Sequence, residues 1–398
     1  MRMDQSVDQK YHYLSGKRID VCISGGIAAT EMVKVIRELR RWGADLTVFM
    51  SQSSLEFITP LSIEWASGSK PVINLTGEAE QIRDADALLV APATLNTVQK
   101  AVLGIADSPL LTRFQAAWGR GIPIVIAPAM HMDLWNNPVF QESLKKLKND
   151  QQFKIVDPMF EEGKAKMASA LSIVLNVSSA LNKRLSDRRF LLTGGPTEET
   201  IDAVRVLRNS STGRLSCLIA QELIANGAEV EFVYGPGEAQ PPPGVNLYKI
   251  KTVEEMRCAI ESITRNKKID FGIFAAAVLD FLPEKFDYKL DSGKPISISL
   301  TPGPKLIDEI KDIPKIGFKF ESSLAFSDAI SIGNELMRKR GWDGVVLNSA
   351  EGIDNDNNKH EALFMASARE PVCCKTKQAI AESICQFLMS QNPDCQPS

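Results

Sequence analysis

Two glycine turns, about half the chain apart, contain the residue types that bind phosphate. Ser24-Gly25-Gly26 follows the mostly apolar run 19–23, and Thr193-Gly194-Gly195 follows the apolar run 190–192. At the start of a helix such a turn leaves backbone N–H groups free, and these groups bind anions such as phosphate. Two turns of this kind predict two separate nucleotide-type sites on one polypeptide.

A polar segment just before a predicted helix concentrates groups that bind anions. Asn209, Ser211 and Thr212 supply an amide and two hydroxyl groups, and Arg208 and Arg214 flank them. Guanidinium groups and the start of a helix both favour an anion. A solvated serine-rich turn would account for the hydroxyl groups but not for the two arginines, so the segment predicts an anion site.

Two charged residues of the second half have the chemistry of a nucleotide site. Asp280 ends a buried apolar strand, and Lys289 follows nine residues later in a predicted loop. A carboxylate at a strand end suits a nucleotide ribose or Mg²⁺, and an ammonium group suits a triphosphate. Taken alone, each residue is more often a surface charge.

Composition argues against several classes of protein. A length of 398 residues predicts two or three domains, and a net charge of −3 disfavours general nucleic-acid binding but leaves small anionic substrates open. The seven cysteines include no C-x-x-C pair, so no zinc or disulfide framework is predicted. Residues 1–18 are polar and no apolar run is long enough for a membrane span, which predicts a cytoplasmic protein.

Strand and helix patterns alternate in both halves. The near-continuous apolar runs 87–91 and 122–127 are typical of a parallel sheet covered on both faces. Residues 28–42 have apolar side chains at helical spacing. In the second half, helices are predicted at 253–265, 304–311, 326–340 and 376–390. The polar stretch 175–189 marks the predicted boundary between two three-layer, Rossmann-like α/β domains.

Five ordered motifs of the first half resemble the flavoprotein cysteine decarboxylases. The motifs are SGGIAA (24–29), FITPL (57–61), APATLNT (91–97), GIAD (104–107) and APAM (127–130). The resemblance implies a flavodoxin-like, FMN-binding domain over residues 17–178 that assembles as trimers. The FMN contacts that it implies are Ser24, Gly26, Ser51, Thr94, Asn96 and Thr97. Because Ser24-Gly25-Gly26 lacks the G-x-G-x-x-G spacing, a nicotinamide cofactor is not favoured.

The first half departs from that family at three positions. Glu78 stands where the family has a histidine, His131 where it has an asparagine, and residues 161–167 where it has a flap with a cysteine. The family's reaction needs a base near the substrate, and the cysteine supplies a proton when the reduced flavin returns its electrons. Glu78 would serve as a base if burial raised its pKa, and His131 is either a new catalytic group or a pocket-lining residue. The departures favour a flavin-binding or empty scaffold over an active decarboxylase.

Five ordered segments of the second half resemble phosphopantothenate–cysteine ligase, with the domain at residues 188–392. The resemblance implies a dimer in which a nucleoside triphosphate, with Mg²⁺, activates the carboxylate of 4′-phosphopantothenate, and the amine of cysteine attacks the acyl-nucleotide. It implies catalytic roles for Asn209 and Lys289. The substrate contacts that it implies are Arg208, Ser211, Thr212 and Arg214. The implied nucleotide contacts are Asp280, Lys289, Gly303, Pro304, Lys305, Leu306, Ile307, Phe318 and Arg340.

The sequence leaves the nucleotide open between CTP and ATP. Bacterial CTP-using ligases carry two lysines where this chain has Leu336 and Arg340. The segments 288–292 and 318–321 are nearer to the ATP-using pattern. Arg340 keeps the positive charge, but a planar guanidinium group is not equivalent to an ammonium group.

The two halves in this order resemble the bifunctional proteins of coenzyme A biosynthesis. The leading hypothesis is a ligase that carries an FMN-type, decarboxylase-like domain without the usual histidine and cysteine. Two alternatives stay open: a non-catalytic regulatory or binding protein, and a flavin enzyme that acts on a different thiol substrate.

Overall fold

The computed structural model describes residues 6–291, 293, 295–321, 326–354 and 359–391. Ser292, in the segment compared with the ATP-using pattern, and residue 392, the predicted end of the second domain, lie outside this set. The chain divides into two compact units, and the division falls between Lys183 and Arg184.

The first unit is a five-stranded parallel sheet with an added antiparallel sheet. Its strands are β1 (Arg18–Ile23), β2 (Asp45–Met50), β3 (Ala87–Ala93), β4 (Ile124–Pro128), β5 (Met130–His131), β6 (Phe153–Ile155), β7 (Met159–Glu161) and β8 (Lys164–Lys166). Its helices are α1 (Met32–Arg41), α2 (Pro60–Ser67), α3 (Leu95–Val102), α4 (Pro109–Gly119), α5 (Met132–Trp135), α6 (Pro138–Lys148) and α7 (Ala170–Leu181). The parallel sheet has the order β2-β1-β3-β4-β6, which is the order of flavodoxin-like folds. The predicted fold class is confirmed for this unit.

In the first unit, the buried faces of strands and helices follow the spacing of apolar residues in the sequence. Every residue of β3 is buried, which fits a central strand covered on both faces. Met32, Val35, Ile36 and Leu39 form the buried face of α1. The α-helix begins at Met32 rather than at residue 28, because residues Ile27–Glu31 form a tighter 3₁₀ turn.

A small antiparallel sheet takes the place predicted for the flap. Its order is β5-β8-β7, and β7 and β8 form a hairpin. Glu162 and Gly163 connect them with φ of 51° and 67°. Two left-handed residues are what a tight two-residue hairpin requires. These strands were not predicted from the sequence.

The second unit is an eight-stranded mixed sheet with two antiparallel ribbons. Its strands are β9 (Arg189–Gly194), β10 (Glu198–Thr200), β11 (Val206–Arg208), β12 (Glu229–Tyr234), β13 (Asn246–Lys249), β14 (Phe271–Phe274), β15 (Phe281–Pro283), β16 (Leu300–Pro302), β17 (Lys315–Glu321), β18 (Gly344–Asp354), β19 (Lys359–Ala366) and β20 (Val372–Cys374). Its helices are α8 (Arg214–Ala225), α9 (Val253–Asn266), α10 (Leu306–Glu309), α11 (Phe326–Arg340) and α12 (Lys377–Ser390). The sheet order is β13-β12-β9-β14-β17-β18-β19-β20.

The first six strands of that order are parallel and follow the Rossmann pattern. The Rossmann-like prediction is therefore confirmed for the second unit. Strands β19 and β20 continue the sheet in antiparallel fashion, and β10-β11 and β15-β16 form the ribbons. None of these four additions was predicted from the sequence.

Two segments differ from the sequence-based predictions. The first part of the polar stretch 175–189 is helical, because α7 continues to Leu181 and its serines form hydrogen bonds. Ser179 Oγ accepts a hydrogen bond from Lys154 Nζ at 2.5 Å. The helix predicted at 304–311 shrinks to Leu306–Glu309, because the carbonyls of Ile307 and Ile310 accept hydrogen bonds from Lys315 Nζ instead. Among the described helices, none has the length and apolarity that a bilayer crossing requires.

Candidate functional sites

A large cavity opens at the carboxyl edge of the first parallel sheet. Its volume is about 1160 Å³, enough for a ligand of cofactor size. Four strand ends supply its wall, since Gly26 follows β1, Ser51 follows β2, Thr94 follows β3 and Met130 follows β4. Open α/β sheets bind ligands at this edge, so this cavity is the candidate flavin site.

Most of the residues predicted to contact FMN line this cavity. They are Gly26, Ser51, Thr94, Asn96 and Thr97. Ser24, the remaining one, is buried behind the wall. Its hydroxyl group donates to Pro92 O at 2.6 Å and accepts from Thr94 N at 3.2 Å. Ser24 therefore joins the ends of β1 and β3 and does not face the cavity.

The backbone approaches closely at Gly25 in the cavity wall. A Cβ atom there would lie 2.3 Å from Ser53 Oγ and 2.8 Å from the backbone carbonyl carbon of Ser53. Only glycine leaves room for this contact. The turn after β1 can therefore lie directly against the loop after β2, which also lines the cavity.

The opposite wall carries positive charge on the hairpin of β7 and β8. Lys164 and Lys166 both line the cavity. Lys166 Nζ lies 3.1 Å from Glu161 and 2.8 Å from Glu162, whereas Lys164 forms no ion pair with any residue that the structure describes. An unpaired ammonium group suits an anionic ligand such as a phosphate monoester.

The two residues considered as substitute bases have different surroundings. Glu78 is exposed and does not line the cavity. Glu78 therefore lacks the burial on which its proposed role as a base depended. His131 lines the cavity at the start of α5. No cluster of three or more metal-ligating side chains occurs in the described ranges.

The second unit places Asn209 at the carboxyl edge of its sheet. Asn209 Nδ2 donates to Ala277 O at 3.2 Å and to Val278 O at 3.1 Å. These carbonyl groups belong to the segment that follows β14. The amide oxygen of Asn209 is left available to a ligand.

Charged residues of the predicted nucleotide set lie beyond that segment. Asp280 forms an ion pair with Lys305, and Gly303 N donates to Asp280 O at 2.8 Å. Arg340 Nη1 lies 2.6 Å from Asp308 Oδ2. Two acids and two bases of this region are thus held in two ion pairs.

The remaining residues of that set differ in exposure. Leu306 is buried, and Ile307 packs against the same core cluster. Phe318 is half-buried on β17, and Pro304 is half-buried beside Gly303. Leu336 packs in a core with Trp342, which explains why an apolar residue can occupy that position.

Lys289 is exposed on a loop, and backbone hydrogen bonds hold the residues on either side of it. Leu290 N donates to Asp202 Oδ2 at 3.0 Å, and Phe286 N donates to Ile201 O at 2.8 Å. Burial opposes ionisation of Asp202, but hydrogen bonds from backbone N–H groups, led by that of Leu290, hold its pKa well below the usual range. The loop is therefore tied to the turn between β10 and β11.

A smaller cleft of about 380 Å³ lies beside the start of α8. Its polar lining is Thr212, Arg214, Glu238, Lys359, His360 and Lys377. Of the four predicted substrate residues, Thr212 and Arg214 line the cleft. Arg208 is exposed and donates to Pro236 O at 3.4 Å, and Ser211 Oγ accepts from Gly213 N at 3.4 Å.

Sequence reasoning missed Lys359, His360 and Lys377. They lie at the starts of β19 and α12, about 145 residues or more beyond Arg214. Lys359 and His360 are adjacent basic residues, but only the antiparallel addition of β19 to the sheet brings them to the cleft. No spacing rule connects them to Thr212.

Comparison with known proteins identifies relatives of both units. The Flavoprotein family model matches residues 7–182. The model of the DNA/pantothenate metabolism flavoprotein C-terminal domain matches residues 185–391.

Three curated relatives extend over most of the chain. The coenzyme A biosynthesis bifunctional protein CoaBC of Thermococcus kodakarensis is 39% identical over 363 residues, which cover 88% of this chain and 89% of the relative. The protein of the same name from Methanocaldococcus jannaschii is 33% identical over 348 residues and 85% of each chain. A cysteine/cysteine sulfinic acid decarboxylase from an unknown prokaryotic organism is 32% identical over 77% of this chain and 89% of the relative.

Proposed function

The chain belongs to the family of bifunctional coenzyme A biosynthesis proteins, and from this we propose that its second unit joins 4′-phosphopantothenate to cysteine through an acyl-nucleotide. The protein thus takes part in coenzyme A biosynthesis as a phosphopantothenate–cysteine ligase. The position of Asn209 between two charged regions carries the proposal.

Asn209 is close in sequence to the cleft and contacts the segment that leads to the nucleotide set. Thr212 of the cleft follows three residues later, which spans at most about 10 Å of extended chain. The carbonyl group of Val278, which accepts from Asn209, lies two residues before Asp280. The site therefore suits a substrate with an anionic group at one end and a carboxylate, placed at Asn209, at the other.

Two displacement steps make up the proposed reaction. The substrate carboxylate oxygen attacks the α-phosphorus of the nucleoside triphosphate, and pyrophosphate leaves. The amine of cysteine then attacks the acyl carbon, the nucleoside monophosphate leaves with the C–O bonding electrons, and the amine loses a proton. Asn209 Nδ2 donates to the acyl oxygen in exchange for one of its two backbone carbonyl partners, and Lys289 offsets the charge that develops on the phosphate.

The nucleotide set supports binding of the triphosphate with Mg²⁺. Lys305 and Arg340 supply positive charge, and Asp280 supplies a carboxylate. The described residues contain no preformed cluster of three metal ligands. That fits Mg²⁺, which is commonly held by one or two carboxylates, water and the substrate phosphates.

In the first unit, the cavity residues fit FMN. Hydroxyl groups of Ser51, Thr94 and Thr97, the Gly26 backbone and the Lys164 ammonium group would hold its polar parts. FMN, when bound, supplies a two-electron acceptor for the oxidation of a cysteinyl substrate. We propose that His131 holds or moves the substrate proton in this cavity, since Glu78 does not line it.

Exposed apolar side chains support the oligomers that the family resemblance implies. They are Ile27, Leu61 and Leu103 in the first unit and Val204, Phe281 and Leu300 in the second. We propose a trimer through the first unit and a dimer through the second. Light scattering on the whole protein and on each separately expressed unit tests both.

A two-part assay on one purified sample tests the proposed function. The sample receives 4′-phosphopantothenate, cysteine, Mg²⁺ and either CTP or ATP, and pyrophosphate release is expected with one of the nucleotides. Absence of turnover with both would overturn the ligase proposal and favour a non-catalytic binding protein.

The second part follows flavin absorbance and carbon dioxide release from phosphopantothenoylcysteine. A bound flavin without carbon dioxide release is expected, because the histidine and the flap cysteine of the family are replaced. Release that is lost when His131 is substituted would instead identify His131 as a new catalytic group. A flavin bleached only by a different cysteinyl compound would favour the alternative thiol substrate.

A further inference from the structure

We propose that the cleft beside α8 is the site of the phosphate monoester of the substrate, held by Arg214, Lys359, Lys377 and the ring N–H of His360. This inference rests on the proposed ligase function and adds three residues from β19 and α12 to the substrate site. The ligand class is a small molecule that carries one terminal phosphate.

The charge balance of the cleft favours an anion. Three cationic side chains line it, and Glu238 is the single acid among the described lining residues. Lys359 Nζ lies 3.2 Å from Glu361 Oε1 at the rim. Burial, and then the neighbouring charge of Arg214, lowers the pKa of Lys377. Like charges brought together in this way are stabilised by a bound anion.

Besides the charge balance, the surroundings of His360 independently favour an anion in the cleft. The side chain is 6% exposed, and its Nδ1 atom has no hydrogen-bond partner among the described residues. Asn348 Nδ2 lies 3.2 Å from the other ring nitrogen, Nε2. With the amide group as donor, Nε2 accepts and the proton resides on Nδ1. A buried N–H group without a partner is costly, and a phosphate oxygen would satisfy it.

Two helices begin at the same cleft. Arg214 is the first residue of α8, which has 12 residues, and Lys377 is the first residue of α12, which has 14. The N-terminal ends of both helices add partial positive charge. Tyr234 OH donates to Ala239 O at 2.8 Å, which fixes the loop that forms the remaining wall.

The substrate phosphate fits this cleft better than the nucleotide triphosphate. Asp280, Lys305 and Arg340 of the nucleotide set do not line it. Asn209 precedes Thr212 of the cleft by three residues, and its amide group contacts the carbonyl groups of residues 277 and 278, which lead to Asp280. The phosphate group of the substrate and the triphosphate group of the nucleotide would then bind at separate sites.

This assignment is tested by comparing how cleft variants and a control variant bind a ligand with and without the phosphate group. The affinity of the whole protein for 4′-phosphopantothenate and for pantothenate is measured by calorimetry without nucleotide. Lys359→Met, at the rim, and His360→Gln, which keeps a polar atom near Asn348, are each expected to lower the preference for the phosphorylated ligand about tenfold. Lys268→Met, an exposed lysine just before β14 at the opposite edge of the sheet, is the matched control and is expected to keep the preference.

Equal losses for both ligands, or an unchanged preference in both cleft variants, would overturn the assignment. So would a rise in the KM for the nucleotide with the KM for phosphopantothenate unchanged. Failure of the proposed ligase function would give a different experimental result. The unmodified protein would then form no amide, while its preference for the phosphorylated ligand would still depend on Lys359 and His360.

Discussion

Asp202 accepts a hydrogen bond from the backbone N–H of Leu290 at 3.0 Å, directly beside Lys289. The same carboxylate accepts from Arg205 N at 2.7 Å and from Val204 N at 2.8 Å. One buried acid therefore holds the turn before β11 and the loop that carries the proposed catalytic lysine.

Asp202→Ala is expected to lower kcat/KM for the nucleotide about tenfold to hundredfold, because the Lys289 loop loses a charge-assisted contact. Steady-state pyrophosphate release measures the effect. Asp202→Asn keeps one acceptor oxygen and is expected to recover part of the loss. If Asp202 acts through Lys289, Asp202→Ala adds little to Lys289→Met, whereas independent additive losses would show that it does not.

Asn209→Ala is expected to lower amide formation at least about a hundredfold, because a transition-state donor or acceptor of this type contributes that much. Product formation with saturating nucleotide gives the rate. Asn266→Ala, at the end of α9, removes an asparagine whose Nδ2 donates to Ser262 O at 2.9 Å and is expected to leave the rate unchanged. Equal rates for Asn209→Ala and the unmodified protein would remove Asn209 from the mechanism.

His360 predicts a particular dependence of stability on pH. Burial, and then the charge of Lys377, lowers its pKa to about 4, so the unfolded chain binds the proton more readily than the folded one. Stability from this group is complete above the unfolded pKa of about 6.5 and is lost as the pH falls towards 4, by at most about 3 kcal/mol. Urea unfolding at several pH values is expected to show a shallower slope in His360→Gln. An identical slope would mean that His360 is not buried in its neutral form.

The order of elements explains how much of this site the sequence predicts. Gly26, Ser51 and Thr94 each follow an apolar strand, and parallel strands bring their carboxyl ends to one edge. The strand pattern predicts that these residues lie at one edge, and the family resemblance assigns them to the flavin. Lys359 and His360 begin β19, which pairs antiparallel with β18, and its run ALFMA has no alternation that marks a strand. Their placement depends on sheet pairing between distant segments, which local pattern does not encode.

Buried polar residues are a second reason why the sequence alone does not predict the whole structure. Ser178 and Ser179 resemble a linker in the sequence but are buried in α7, because partners elsewhere in the fold satisfy them. In an ungapped alignment with the family, Glu78 occupies the position of a histidine, yet its side chain is exposed. In both cases the three-dimensional partners, and not the residue type, decide the role.

The buried pair of Asp20 and Arg113 predicts a large effect on the stability of the first unit. Arg113 Nε lies 2.5 Å from Asp20 Oδ2, and both side chains are at most 1% exposed. Arg113→Met leaves a buried carboxylate without its main partner and is expected to cost about 3–5 kcal/mol. Arg120→Met breaks an exposed pair with Asp84 and is expected to cost less than about 1 kcal/mol. Chemical unfolding followed by tryptophan fluorescence compares the two, and equal costs would contradict the burial argument.

Gly25→Ala is expected to release the flavin from the first unit while the ligase continues to work. The new Cβ atom would meet the backbone of Ser53 as well as its hydroxyl group, so the loops after β1 and β2 must separate and the cavity wall between them must change shape. Gly119→Ala, where a Cβ atom meets no neighbour within 4 Å, is the matched control. The ratio of visible to ultraviolet absorbance after purification measures flavin content, and pyrophosphate release measures the ligase. Retention of flavin in Gly25→Ala would show that this wall does not hold the cofactor, because a ligand bound there stabilises only the shape that the glycine permits.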